Sequence, residues 1–244
     1  MTGKHKISSG AVNEKALQLL MQVAINPHSL TAKELADQVN QPLSSLYRYL
    51  KILKEWSLIE ETPHEKRLAI GPAALMLMRS YQTTTHTSDL DAVLTRLQKQ
   101  TGELAAYMVP VGYRALCVSM KESMQALRCS FVQGQSQPLL RGASSKVMLA
   151  YMPSERSEKI LRYFNEGHQL EQWKALFEQI RVQGYAMSHA EIDHGVASVS
   201  APVLKGSKLI GAISVMAPLE RVKANKQKII LHVLQASRAL PPEG

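Results

Sequence analysis

Residues 31–71 read TAKELADQVNQPLSSLYRYLKILKEWSLIEETPHEKRLAIG. Thr31 with Glu34 three places on is a capping-box signature, so a helix opens there, and Leu35, Ala36 and Val39 give it an apolar face. Asn40, Gln41 and Pro42 read as a turn, the proline suiting a first helical position. The helix that follows carries Leu46, Leu50 and Leu53 on one stripe, with Leu43 opening it, and Trp56 and Leu58 read as core. Two strand-like runs, 58–61 and 67–70, flank a hairpin loop at 62–66. Gly71-Pro72 ends the pattern.

Upstream, residues 1–10 are small and polar and read as a loose arm. Val12, Ala16, Leu19, Leu20 and Val23 then mark a helix, which Asn26-Pro27 stops because the residue before proline avoids the helical region. Three helices and a hairpin are the order of a winged helix-turn-helix, in which the third helix lies in the major groove of DNA. The side of that helix opposite the leucines offers Ser44, Ser45, Tyr47, Arg48, Lys51 and Lys54, and no acid stands between Pro42 and Lys54. Arginine grips guanine edges in a bidentate way, and serine and lysine suit phosphates or base edges. With Lys66 and Arg67 at the hairpin, the candidate DNA contacts are Thr31, Ser44, Ser45, Tyr47, Arg48, Lys51, Lys66 and Arg67.

Downstream, 73–82 is an apolar linker helix and 83–88 a flexible joint. A helix over 90–101 closes at Gly102. Strand-like runs follow at 104–109, 114–120 and 126–132, then a loop that turns into a helix over 141–152, and helices over 154–164 and 170–183. Further strands at 185–189, 196–204 and 208–217 precede a closing helix over 224–240. Helices flanking a largely antiparallel sheet make an α+β sensor domain. The expected division is 1–71 for DNA binding, 72–87 for linker and joint, and 88–244 for effector binding.

The chain has 244 residues and a net charge of +9, which favours an acidic partner. That charge is spread over both parts, so the local clustering at 42–54 carries the DNA reading. No run of eighteen apolar residues spans a membrane, and the opening residues have no secretory apolar segment. Cys117 and Cys129 fit no metal or redox spacing, as expected of a reduced, cytoplasmic protein. His189, Glu191, Asp193 and His194 resemble a metal cluster but read better as a polar turn before Gly195. No GxSxG, HExxH or phosphate-loop motif is present, so no catalytic residue and no cofactor are assigned. The competing readings are an architectural DNA-binding protein and an enzyme fused to a DNA-binding domain.

The chain resembles the IclR family of bacterial regulators over nearly its whole length. The segments that carry this are LTAKELADQVNQPLSSLYRYLKILKEWSLIEE with RLAIGPAAL, then PLLRGASSKVMLAYM, IRVQGYAMSHAEIDHGVASVSAPVL and LIGAISVMAP. The resemblance implies a winged helix-turn-helix joined by a linker helix to a GAF-like α/β sensor domain, assembled as homodimers or tetramers on palindromic double-stranded operators. It maps the effector pocket onto Ala126, Cys129, Ala143, Ser144, Ser188, Ser198, Ser214 and Met216. The chain departs from the pattern at Leu43, where a basic residue is usual, and in the pocket region at Leu140, Arg141, Ser188, Ser198 and Met216.

The residues argue for part of that pocket independently. Gly142, Ala143 and Ser144 precede an apolar helical run, and free N–H groups at a helix start attract anions. Arg141 beside them suits a carboxylate, and Ser188, Ser198 and Ser214 add neutral hydrogen-bonding groups. The expected ligand is a small organic acid.

Overall fold

The computed structural model describes residues 9–26, 30–84 and 87–240. The chain divides into two units, Met1–Thr85 and His86–Gly244. The first contains α1 (Ser9–Ile25), α2 (Ala32–Gln38), α3 (Leu43–Glu55), the antiparallel strands β1 (Ile59–Glu61) and β2 (Leu68–Ile70), and α4 (Ala73–Thr84). Apolar residues at helical spacing dictate this arrangement: Leu19 and Val23 of α1, Leu35 and Ala36 of α2 and Leu46, Leu50 and Leu53 of α3 close one core with Ile59 and Leu68. Tyr49 joins that core, one turn from Leu46 and Leu53.

At the end of the hairpin Gly71 donates its N–H to the Leu58 carbonyl at 2.9 Å, and the Ala73 N–H reaches the Ser57 carbonyl at 3.1 Å. A Cβ on Gly71 would lie 2.2 Å from the Ser57 oxygen. Only glycine lets the chain turn into α4 there.

Several expectations for this unit are corrected. Trp56 is 73% exposed and not core: it follows the last residue of α3 as its C-cap, one turn past the buried Leu53. Leu43 is also exposed and stays off the buried stripe. Pro42 caps α3 from outside instead of starting it. Ser9 and Gly10, expected in a loose arm, lie in α1. The rest of that arm, residues 1–8, and the Pro27 stop lie outside the described residues, as do residues 85–86 of the expected joint.

The second unit runs α5 (Thr87–Thr101), β3 (Leu104–Val111), β4 (Arg114–Lys121), β5 (Ser136–Pro138), α6 (Ala143–Tyr151), α7 (Ser154–Tyr163), α8 (Leu170–Gln183), β6 (Ala186–His189), β7 (Val196–Lys205), β8 (Lys208–Pro218), α9 (Leu219–Ala224) and α10 (Lys226–Ala239). The strands form one six-stranded sheet in the order β5-β4-β3-β8-β7-β6, with every neighbouring pair antiparallel. Alternation along the strands separates two cores. Leu104, Ala106 and Met108 pack with α6, α7 and α8, while Ala105, Val199, Ile213 and Val215 pack with α5 and α10. A sheet covered by helices on both faces is the GAF-like arrangement expected.

Two expectations change here. Residues 126–132 form no strand and follow β4 as an irregular stretch; β5 takes the place beside β4 that such a strand would need. The closing helix is broken at Asn225, which separates α9 from α10.

Candidate functional site

The recognition helix α3 opens without a side-chain cap, and the Ser45 and Leu46 N–H groups bond back to the Pro42 carbonyl. Burial of Leu46, Tyr49, Leu50 and Leu53 turns Ser44, Tyr47, Arg48 and Lys51 outward, with Ser45 half-buried beside them. Among the described residues Arg48 has no ion pair, and its guanidinium carbon lies 5.3 Å from the centroid of the Tyr49 ring. Lys51 stands 3.9 Å from Glu55, both well exposed. Lys54 is committed elsewhere, paired with Glu61 of β1.

Thr31 and Arg67 are also engaged within the protein. The Thr31 hydroxyl accepts from the Glu34 N–H at 3.2 Å and donates to Glu34 Oε2 at 2.9 Å, while the Thr31 N–H donates to the same oxygen at 2.8 Å. This capping box holds the Glu34 carboxyl below its ordinary value, chiefly through the backbone and hydroxyl bonds of Thr31. Arg67 donates from Nε to Glu65 at 2.7 Å and stands 4.0 Å from Glu34.

In the second unit the expected ligand region is brought together in part. Gly142 caps α6 at φ +85°, and a Cβ there would lie 2.8 Å from Ile192 Cδ1 and 2.9 Å from Gln137 Nε2. The first amides of α6 already have partners. The Gly142 N–H donates to Glu191 Oε2 at 3.1 Å, and the Ala143 N–H donates to Ser198 Oγ at 3.4 Å. The other Glu191 oxygen is ion-paired with Lys146, one turn into the helix. A carboxylate therefore rests at this helix start, and it is the protein's own.

Below it, Ser188, Ser198 and Met216 lie on one row across β6, β7 and β8. The Ser188 and Ser198 hydroxyls are 2.7 Å apart, and Ser200 and Ser214 repeat the pairing at 2.7 Å on the next row, fully buried. Gln137 reaches the Arg141 carbonyl at 3.3 Å and the Ser144 hydroxyl at 3.4 Å. The Arg141 side chain is exposed, as is Ala126 on the irregular stretch. Cys129 lies near Glu103, Asp193 and Arg221, and burial pushes its thiol up, with Glu103 adding to the effect. Burial pushes Cys117 to about 12, so this thiol stays protonated at neutral pH.

Lys146, Gln137 and Ser200 were not foreseen, and Glu191 was read only as part of a polar turn, not as a partner of the α6 start. β6 ends at His189, so Glu191 and Asp193 lie beyond the strand, and Glu191 turns to α6. Among the described residues no group of three His, Cys, Asp or Glu side chains is arranged to hold a metal. Cavities of about 240 Å³ between α7 and α8 and about 170 Å³ between α5 and α10 do not touch the α6 start. Among the described residues no helix is long and apolar enough to cross a membrane.

Comparison with known proteins bears on both units. Residues 13–63 match the IclR helix-turn-helix domain, and residues 82–241 match the bacterial transcriptional regulator IclR C-terminal domain. The HTH-type transcriptional regulator BhcR of Paracoccus denitrificans is 26% identical over 238 residues, covering 93% of this chain and 85% of that protein. The transcriptional repressor IclR of Escherichia coli is 23% identical over 221 residues, covering 85% and 80%. Among solved structures, the C-terminal domain of a protein from Vibrio cholerae described as a transcriptional regulator is 74% identical, with a TM-score of 0.63, covering 66% of this chain and all but 1% of that one (99%). An IclR regulator from Silicibacter sp. TM1040 superposes with a TM-score of 0.79 at 20% identity, covering 93% and 94%, and supports the fold.

Proposed function

The chain belongs to the IclR family of bacterial transcriptional regulators, and from that premise we propose that a small carboxylate-bearing metabolite, bound in the second unit, modulates its hold on a palindromic operator. The chain is a DNA-binding transcription regulator and not an enzyme. The working division is residues 1–71 for the operator, 72–87 for the linker and 88–244 for the effector, and the place of work is the cytoplasm.

The observation that carries the effector reading is the Glu191 carboxylate on the Gly142 N–H and Lys146. A helix start that takes a carboxylate from within suits one from outside, and Arg141 brings a further cation to its rim. The ligand then competes with Glu191, and its affinity must differ between the DNA-bound and released states, since equal affinity shifts nothing. Calorimetry of the full chain against small mono- and dicarboxylic acids tests this. Binding is expected to weaken in Arg141→Ala and to tighten in Glu191→Gln, which removes the internal competitor's charge. If no acid binds, or the best ligand is neutral or cationic and indifferent to Arg141→Ala, the carboxylate reading is wrong.

The partner on DNA is a second copy of the chain. One recognition helix spans few base pairs, and a two-fold pair reads an inverted repeat. Leu75, Met76, Leu77 and Met78 are consecutive and all exposed on α4, so they point around the whole helix. A helix apolar on every side is normally covered. Sedimentation of the full chain at micromolar concentration is expected to give a dimer or tetramer; a monomer that still binds its operator tightly contradicts this.

A further inference from the structure

The wing between β1 and β2 carries two adjacent cations, and they stand in different surroundings. Lys66 is exposed, with φ +53°, and its N–H is bonded to the Thr62 carbonyl at 3.1 Å. Arg67 is half-buried and turned back toward the body of the unit. Its Nε donates to Glu65, and NH1 stands 4.0 Å from the same Glu34 oxygen that receives the Thr31 N–H and hydroxyl. The backbone follows the same line. Thr31 and Arg67 form an isolated antiparallel bridge, and the Leu68 N–H donates to the Leu30 carbonyl at 2.7 Å. The Arg67 N–H reaches the Thr62 hydroxyl at 3.1 Å, and its carbonyl receives the Thr62 N–H at 2.8 Å. One arginine thus joins the wing loop, through Glu65, to the first turn of α2, through Glu34.

We infer that Arg67 and Glu34 are positioning residues for DNA binding, which hold the wing against the start of α2 so that Lys66 meets the phosphate backbone. A guanidinium suits this task, because its planar fork grips two carboxylates in fixed directions where an ammonium does not. Lys66 has a phosphate's requirements: an exposed charge at a tip with no acid paired to it among the described residues.

The two roles predict opposite signs. If Arg67 grips DNA directly, then Glu34 and Glu65 are acids beside a polyanion that also occupy its charge. Neutralising either one should tighten binding. If Arg67 positions the wing, neutralising either should weaken binding, although a negative charge has been removed near DNA. Glu34→Gln suits the test, since glutamine at this position preserves the capping box while losing the ion pair.

Binding is measured by fluorescence anisotropy, with the full chain and a duplex selected from a random-sequence pool by the wild-type protein. Glu34→Gln and Glu65→Gln are each expected to weaken binding by about two- to fivefold, the range of a half-exposed ion pair. Lys66→Gln should weaken it and make the slope of log K against log salt shallower by about 0.9, the signature of one lost phosphate contact. Adding Glu34→Gln to Lys66→Gln should bring little further loss, because the brace acts through the lysine. Arg67→Lys should weaken binding as Glu65→Gln does, whereas a direct phosphate contact would tolerate it, and this variant keeps the test open if a glutamine variant fails to fold. Unchanged or tighter binding in both glutamine variants, or wild-type affinity in Arg67→Lys, overturns the inference.

Discussion

Replacing Arg48 by alanine is expected to cost about 1–3 kcal/mol at the operator, if it makes a bidentate base contact. Its surroundings single it out. Of the three cations on α3, Lys54 is tied to Glu61, and Lys51 stands near Glu55. Arg48 has no ion pair among the described residues, and it projects from the side of α3 opposite Leu46 and Leu50. Its guanidinium beside the ring of the buried Tyr49 limits how far the side chain wanders before binding. A base contact also leaves a pattern that a phosphate contact does not. Arg48→Ala should relax the preference at one base pair of each half-site, while Lys51→Ala should weaken all sequences alike. Repeating the selection from a random pool with each variant separates the two. Unchanged affinity together with unchanged base preference in Arg48→Ala removes it from the reading surface.

The second large effect is one of stability. Arg221 of α9 grips both oxygens of Glu103, at 2.6 and 2.7 Å, where β3 begins. Glu103 is only 4% exposed. Arg221→Met leaves that carboxylate buried without its counter-charge, and breaking such a pair costs about 3–5 kcal/mol. Glu103→Gln in the same chain should recover much of the loss, since a neutral pair carries no unpaired charge. The two tryptophans make the measurement specific: Trp56 lies in the first unit and Trp173, packed on Phe177, in the second. In a Trp56→Phe background, denaturant unfolding followed by Trp173 emission reports the second unit. A midpoint unmoved by Arg221→Met would mean that water replaces the arginine at little cost.

The sequence made the helices and long strands legible for a plain reason. Stripes such as Leu46-Leu50-Leu53 and the alternation through 196–204 record which side of an element is buried. Direction is harder to read than hydrophobicity. Trp56 is as apolar as any core residue and falls a regular two turns after the buried Tyr49, yet α3 ends at Glu55 and leaves it exposed. Residues 126–132 look like a strand, but a strand also needs a neighbour with an open edge, and β5 occupies it. The ligand region divides in the same way. The small residues after Gly142 announce a helix start, whereas Glu191 reaches it from 49 positions away and Lys146 meets that carboxylate across 45. Arg67 was legible as a cation but not as one already held by Glu65. Spacing along a chain does not encode pairings that only the tertiary fold creates.

The rims of the sheet have a bearing on how the protein behaves when crowded. Its inner strands are long, with ten residues in β7 and eleven in β8, while β5 and β6 at the two margins have three and four. Pro138 also deprives the β5 rim of one N–H donor. Short, interrupted margins give a foreign strand little to zip onto, which guards a sheet against fibrous aggregation. Contacts between molecules are thereby steered to side-chain surfaces, where shape and charge select the partner, and away from backbone pairing, which accepts almost any extended chain.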